Sequence, residues 1–203
     1  MSFLSRRAGI AGIFGIALVV ALTFAVVPFG VADEAEQDSL TFSAVAQNAG
    51  TGGGGQTQVA FTFTRWSTEE ERDELEQILI NDGMQPLADK LRTATEVGFI
   101  RAPTLRSTSW RLRYAIMFRN EEGQRVIRAA TDRPVSFVEA SQRMVRTWDY
   151  NVALIELTID EDGNGDGWIR SGVEFVYHED TDSIVARNMS SQPIVLNNVR
   201  ITQ

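Results

Sequence analysis

Asp160, Asp162, Asn164 and Asp166 place side-chain oxygens at every second position of the run Asp160-Glu161-Asp162-Gly163-Asn164-Gly165-Asp166-Gly167. This matches the opening of a calcium loop, in which oxygen ligands at the first, third and fifth positions and a glycine at the sixth suit a hard cation. The twelfth position is Ser171 rather than a bidentate Glu, and strand-like sequence flanks the run. The same residues therefore also read as a solvated Asp/Gly hairpin turn.

A second constellation is cationic. Arg111, Arg113, Arg119, Arg125 and Arg128 fall on two strand-like segments joined by one turn, so that Arg111, Arg113 and Arg128 form a candidate face for an anionic partner such as a phosphate or an acidic glycan. The structural alternative pairs these arginines with the acids between Glu69 and Glu76 or with Glu121 and Glu122, because like charges across a sheet need compensation. Asp132-Arg133-Pro134 reads as a fixed turn that ends a strand.

Other chemistries are excluded by composition. The chain has no Cys, which removes disulfides, thiolate metal sites, cysteine nucleophiles and a lipidated cysteine anchor. It has one His, His178, which leaves no room for a zinc site built on several imidazoles and offers a single ring to any Ser-His-Asp arrangement. Acidic residues are plentiful, but no pair spaced for glycoside hydrolysis stands out. The formal net charge of −8 argues against binding nucleic acid phosphates.

The N-terminus has the makings of an export segment. Arg6 and Arg7 precede an uncharged stretch from Ala8 to Val27, and Gly30 and Ala32 are small residues placed for cleavage before Asp33. Residues 1–32 are thus a cleaved signal peptide or, since about 20 apolar residues reach bilayer length, an uncleaved anchor. Either outcome sends the remainder to the periplasm or cell surface, and in the second case residues 8–27 are the only membrane contact. No acidic residue lies before Asp33, so the exported part is more acidic than the whole.

Residues 33–58 are expected to be a linker, acidic and then Gly-rich through Gly52-Gly53-Gly54-Gly55, with Leu40, Phe42 and Val45 as a short edge strand at most. Residues 59–203 are expected to form one domain. Val59, Phe61 and Phe63 alternate with Ala60, Thr62 and Thr64 as in a half-buried strand. Ser67-Thr68-Glu69-Glu70 has capping-box spacing and opens a helix over about 68–81, carrying Leu75, Ile78 and Leu79 on one stripe and ending at Asp82-Gly83. A second helix over about 86–94 buries Leu87 and Leu91.

Beyond residue 95 the period becomes two. Trp110, Leu112, Tyr114, Ile116 and Phe118 alternate with Arg111, Arg113, Ala115, Met117 and Arg119, and turn at Asn120-Glu121-Glu122-Gly123 into a second strand. Tyr150 to Ile159, Trp168 to Tyr177, Ser183 to Asn188 and Pro193 to Ile201 continue the pattern, the last reading as covered on both faces. The connections are too short for parallel crossovers. The predicted class is α+β: a curved antiparallel sheet of about six to eight strands, sandwich or barrel-like, with a two-helix unit.

Five ordered blocks resemble an uncharacterised family of exported bacterial proteins. They are Arg65-Trp66-Ser67-Thr68 with Glu71-Arg72, Val97-Gly98-Phe99-Ile100-Arg101, Ala130 through Phe137, Asp149-Tyr150 with Leu154-Ile155-Glu156, and Gln192 through Leu196. The resemblance implies export and a single domain; it assigns no activity, ligand or catalytic residue. The expected role is a non-enzymatic binding or structural module of the cell envelope with no cofactor beyond the candidate calcium. The alternatives are a carrier of a small apolar ligand in the sheet interior, lined by aromatics such as Phe61, Trp110, Tyr114 and Phe175, and a hydrolase of envelope polymers acting through carboxylates.

Overall fold

The computed structural model describes residues 39–48, 55–103, 109–135, 151–181, 183–187 and 192–202. The export segment, Trp148 and Tyr150 lie outside them. Along the chain, β1 (Leu40–Asn48) and β2 (Gln56–Phe63) are followed by α1 (Glu69–Asp82) and α2 (Met84–Thr93). Then come β3 (Gly98–Arg101), β4 (Ser109–Arg119), β5 (Arg125–Thr131), β6 (Ala153–Ile159), β7 (Asn164–Ser171), β8 (Glu174–His178), β9 (Ser183–Arg187) and β10 (Ile194–Ile201). Eight of these strands close into an antiparallel barrel in the order β1-β10-β7-β6-β5-β4-β3-β2, while β8 and β9 form a separate two-stranded ribbon. The class is α+β, and the curvature of the sheet is complete.

An eight-stranded barrel is just wide enough for side chains to fill it. Phe61, Ile100, Leu112, Ile127, Ile155 and Leu157 are fully buried inside, and Ala44, Ala46, Ala115 and Ala129 belong to the same cluster. Large and small inward residues thus interleave as a filled core requires.

The barrel includes strand residues ahead of residue 59. The expected linker contains β1 and the start of β2, which pair from Leu40↔Phe63 to Gln47↔Gln56. The inward residues of β1 are Phe42, Ala44 and Ala46, so Val45 is not among them. Alanines carry little strand propensity, and their burial is decided by the Phe-rich neighbour rather than by themselves.

The alternation in β4 is broken by a bulge. Its register against β5 shifts between Leu112 and Tyr114, and an extra residue there sends every later side chain to the opposite face. Trp110 and Leu112 point into the barrel, Ala115 follows them, and Tyr114 and Ile116 turn outward under the helices. Ser67 supports the bulge: its N–H donates to the Ala115 carbonyl at 2.8 Å and its Oγ accepts from the Ala115 N–H at 3.1 Å.

Ser67 is therefore not the helix cap. Thr68 caps α1 one residue later, its Oγ1 accepting from the Glu71 N–H while the Glu71 carboxylate accepts from the Thr68 N–H. Arg65 adds a bidentate pair to Glu71 at 2.8 and 2.9 Å. That hydrogen-bonded guanidinium is the main reason the Glu71 carboxyl lies below its ordinary value, and the Thr68 N–H adds to it. The charged form is favoured in the fold, so the stabilisation is complete above the unfolded carboxyl's pKa and fades as pH falls through the lowered folded one. Glu71→Gln keeps the capping geometry and loses the charge. Urea melts of the two proteins should differ clearly at pH 7, and the difference should narrow as pH falls through the lowered folded value.

Gly83, at φ 87°, stops α1 and starts α2, a backbone conformation that glycine adopts without steric cost. Met84, Leu87, Ala88 and Leu91 of α2 and Leu79 of α1 then pack with Ala130 and Ile184 as a second apolar cluster outside the barrel wall. The strand expected over Trp168 to Tyr177 is two strands, separated at Gly172 (φ 70°), where the chain leaves the barrel and enters the ribbon. The final strand is buried on one face and half-exposed to exposed on the other, as a barrel wall requires.

Candidate functional site

The helices do not seal against the barrel. Leu79 is the buried residue of α1, whereas Leu75 and Ile78 on the same stripe are only partly buried. Beneath this stripe lies a slot of about 70 Å³. Its floor is Tyr114 and Ile116 of β4, Ala130 of β5 and Leu154 of β6; its roof is Leu75, Leu79, Leu87 and Leu91; Phe175 and Ile184 of the ribbon close one side. Arg72, Glu76 and Arg128 bring charge to the lining.

Arg128 is held in place. Its Nε donates to Glu156 Oε2 at 2.6 Å, and its guanidinium lies 4.9 Å above the Phe118 ring. Both side chains of the pair are about one-fifth exposed. Across a half-buried pair of this kind, removing one partner leaves a charge that the surrounding hydrocarbon cannot solvate.

The uncharged polar residue among those that line the slot is Tyr114. Tyr114 Oη is buried and has no hydrogen-bond partner among the described residues. Burial is the leading cause that pushes its pKa up to about 12, with Arg72 and Arg128 working against the rise and Glu76 with it. At neutral pH the group is an O–H donor with nothing to donate to, a condition that costs about 1–3 kcal/mol. Tyr114→Phe is expected to raise stability by about 1 kcal/mol, measured by denaturant midpoint at pH 7. Spectrophotometric titration should show a tyrosine ionising near pH 12 that this variant lacks. Because the folded pKa is raised, the wild type should lose stability relative to the variant as pH climbs from the ordinary value of 10.0 toward 12.

The residues singled out from sequence have other engagements. Arg111 faces Glu96 at 3.5 Å; Arg113 donates to Asp132 at 2.8 Å and to the Ala94 carbonyl at 2.8 Å; Arg128 takes Glu156. All three have carboxylate partners, and these are Glu96, Asp132 and Glu156 rather than the acids of α1 or the hairpin tip. Asp160 to Gly163 is the tight turn from β6 to β7: Asp160 Oδ1 accepts from the Asn164 N–H at 2.8 Å, and the two residues are also joined through their backbones. Asn164 and Asp166 stand exposed on β7, Asp162 is exposed in the turn, and among the described residues no group of three or more His, Cys, Asp or Glu side chains converges on one point. Arg187 Nη2 lies 2.7 Å from His178 Nε2, and since a guanidinium only donates, that imidazole nitrogen accepts.

The aromatic residues divide between two places. Phe61, Phe63 and Trp110 fill the barrel, whereas Tyr114 and Phe175 line the slot. Sequence periodicity assigned Tyr114 to the same face as Trp110, and the bulge that separates them has no compositional mark. The chain matches no protein-family model, no curated protein and no solved structure.

Proposed function

We propose that this chain is an exported, non-enzymatic binding module of the bacterial cell envelope, and that it holds a small apolar ligand in the slot between its helices and the barrel wall. The observation that carries the reading is a slot whose lining is hydrocarbon on three sides, with the charged side chains Arg72, Glu76 and Arg128 beside it. Small-molecule sites have this composition, mostly apolar walls and a few placed polar groups that fix orientation. Glu76 is the one carboxylate among the lining residues, so the slot lacks the facing pair that glycoside hydrolysis uses. The barrel axis, where an apolar ligand was first expected, is occupied by side chains, so the carrier reading moves to the slot.

Native mass spectrometry of protein purified from its own host tests this directly. Wild type should carry a small-molecule adduct, and Leu79→Trp, which fills the slot from its roof, should lose it at an unchanged or higher melting temperature. An adduct-free wild type, or an adduct that survives in Leu79→Trp, would overturn the assignment.

A further inference from the structure

We infer that the outer face of β3, β2, β1 and β10 is a docking surface for an acidic polysaccharide, whose carboxylates meet Arg101 and Arg200 while its hydroxyls meet the neutral polar side chains around them. This surface is separate from the slot. In the ring of strands β1 stands opposite β5, and the slot's floor is β4, β5 and β6.

The first observation is the placement of acid. The chain has 27 Asp and Glu residues, yet these four adjoining strands hold none. The exposed acids Glu69, Glu70 and Asp73 lie on α1, which packs on the slot side of the barrel. In a molecule of net charge −8, the acid-free wall is where a polyanion can approach with the least like-charge repulsion.

The second observation is a pair of uncommitted cations. Phe42, Ala44, Phe61, Ile100 and Val199 point into the barrel, so their neighbours along each strand point out. The strand registers then set Arg101, Ala60, Ser43 and Arg200 side by side in one row. Both arginines are exposed, and neither has a carboxylate partner among the described residues, whereas Arg111, Arg113 and Arg128 each have one. Arg101 is braced with its guanidinium 4.7 Å from the centre of the Phe99 ring, which leaves its N–H edge free to donate. Three strand spacings put the two arginines about 14 Å apart, with only small side chains between them, so an extended polymer can span both.

The third observation separates the classes of anionic partner. Thr41, Thr62, Gln58 and Asn197 flank the row and supply donors and acceptors suited to hydroxyl groups. No large apolar side chain stands exposed on this wall; among the described residues the exposed one is Met117 of β4. A lipid surface takes up an apolar face and a protein partner centres on aromatic anchors. A glycan needs neither.

Titration calorimetry of the protein purified from its own host tests the inference, with polygalacturonate as the acidic probe, dextran as the neutral one and phosphatidylglycerol vesicles as the lipid. Wild type should bind polygalacturonate about fivefold or more tightly than dextran at low salt, the scale of two exposed charge pairs, and the preference should shrink as ionic strength rises. Arg101→Gln combined with Arg200→Gln should erase it at an unchanged urea midpoint. Ala60→Glu, which brings an acid into the row while keeping both arginines, should do the same. Arg92→Gln, the loss of a charge on α2, and Leu79→Trp, which fills the slot, should both bind as wild type does, so this inference and the slot's occupancy stand or fall separately. Failure to bind polygalacturonate, equal affinity for dextran, or undiminished affinity in the double variant would overturn the inference. Binding to the vesicles alone, dependent on the two arginines, would overturn it in favour of a lipid surface.

Discussion

Phe61→Ala is expected to lower the free energy of unfolding by about 3–5 kcal/mol, the range for truncating a large buried aromatic side chain. Phe61 is fully buried in β2, with Phe42 of β1 opposite it on one side and Ile100 of β3 on the other. Its neighbours belong to a closed wall whose strands are hydrogen-bonded on both edges, so they have little freedom to collapse into the space left behind. The cost should therefore sit toward the upper end of the range, read as a shift in the urea midpoint at constant slope. Met117, also on a barrel strand, is 42% exposed; Met117→Ala should cost well under 1 kcal/mol and serves as the control.

Gly165→Ala should be nearly as damaging for a different reason. A Cβ at Gly165 would run into the carbonyl oxygen of Thr158 on the adjoining strand β6, and that oxygen belongs to the backbone and cannot swing away as a side chain would. Either the strand pair separates or its register moves, at a cost of about 3 kcal/mol. Amide exchange should accelerate along β6 and β7 and leave β1 and β2 less affected. Gly123→Ala offers the contrast: nothing lies within 4 Å of its Cβ, and the expected penalty of about 1 kcal/mol comes from its positive φ alone.

Much of this architecture is visible in the order of residues. The stripe of Leu75, Ile78 and Leu79, the Asp82-Gly83 stop, the pair Leu87 and Leu91 and the turn at Asn120 to Gly123 all read correctly because each rests on local chemistry. What failed to read depends on partners distant in the chain. Ala44 and Ala46 look like linker because their burial comes from Phe61, Phe63 and the strands beyond. The bulge after Leu112 leaves the two-residue pattern intact in the sequence while reversing its meaning in space. The slot is a product of both: residues 72–91 form its roof, and its floor is the outer face of a wall that periodicity had assigned to the interior. Ser67 and Thr68 both suit the cap, serine slightly the better by propensity, and the contest is settled by the Ala115 amide, which takes Ser67.

The seam between β1 and β10 joins the first described strand to the last, with Phe42 opposite Ile201. No hydrogen bond of that seam is available until β10 has been made, long after β1, so the ring stays incomplete while the strands between them emerge. Closing a loop that long is slow, and until it happens two strand margins stay open to pairing with neighbouring molecules. Completion of the ring therefore waits on β10, and deletion of Ile194–Ile201 should strand the protein as an open, association-prone sheet.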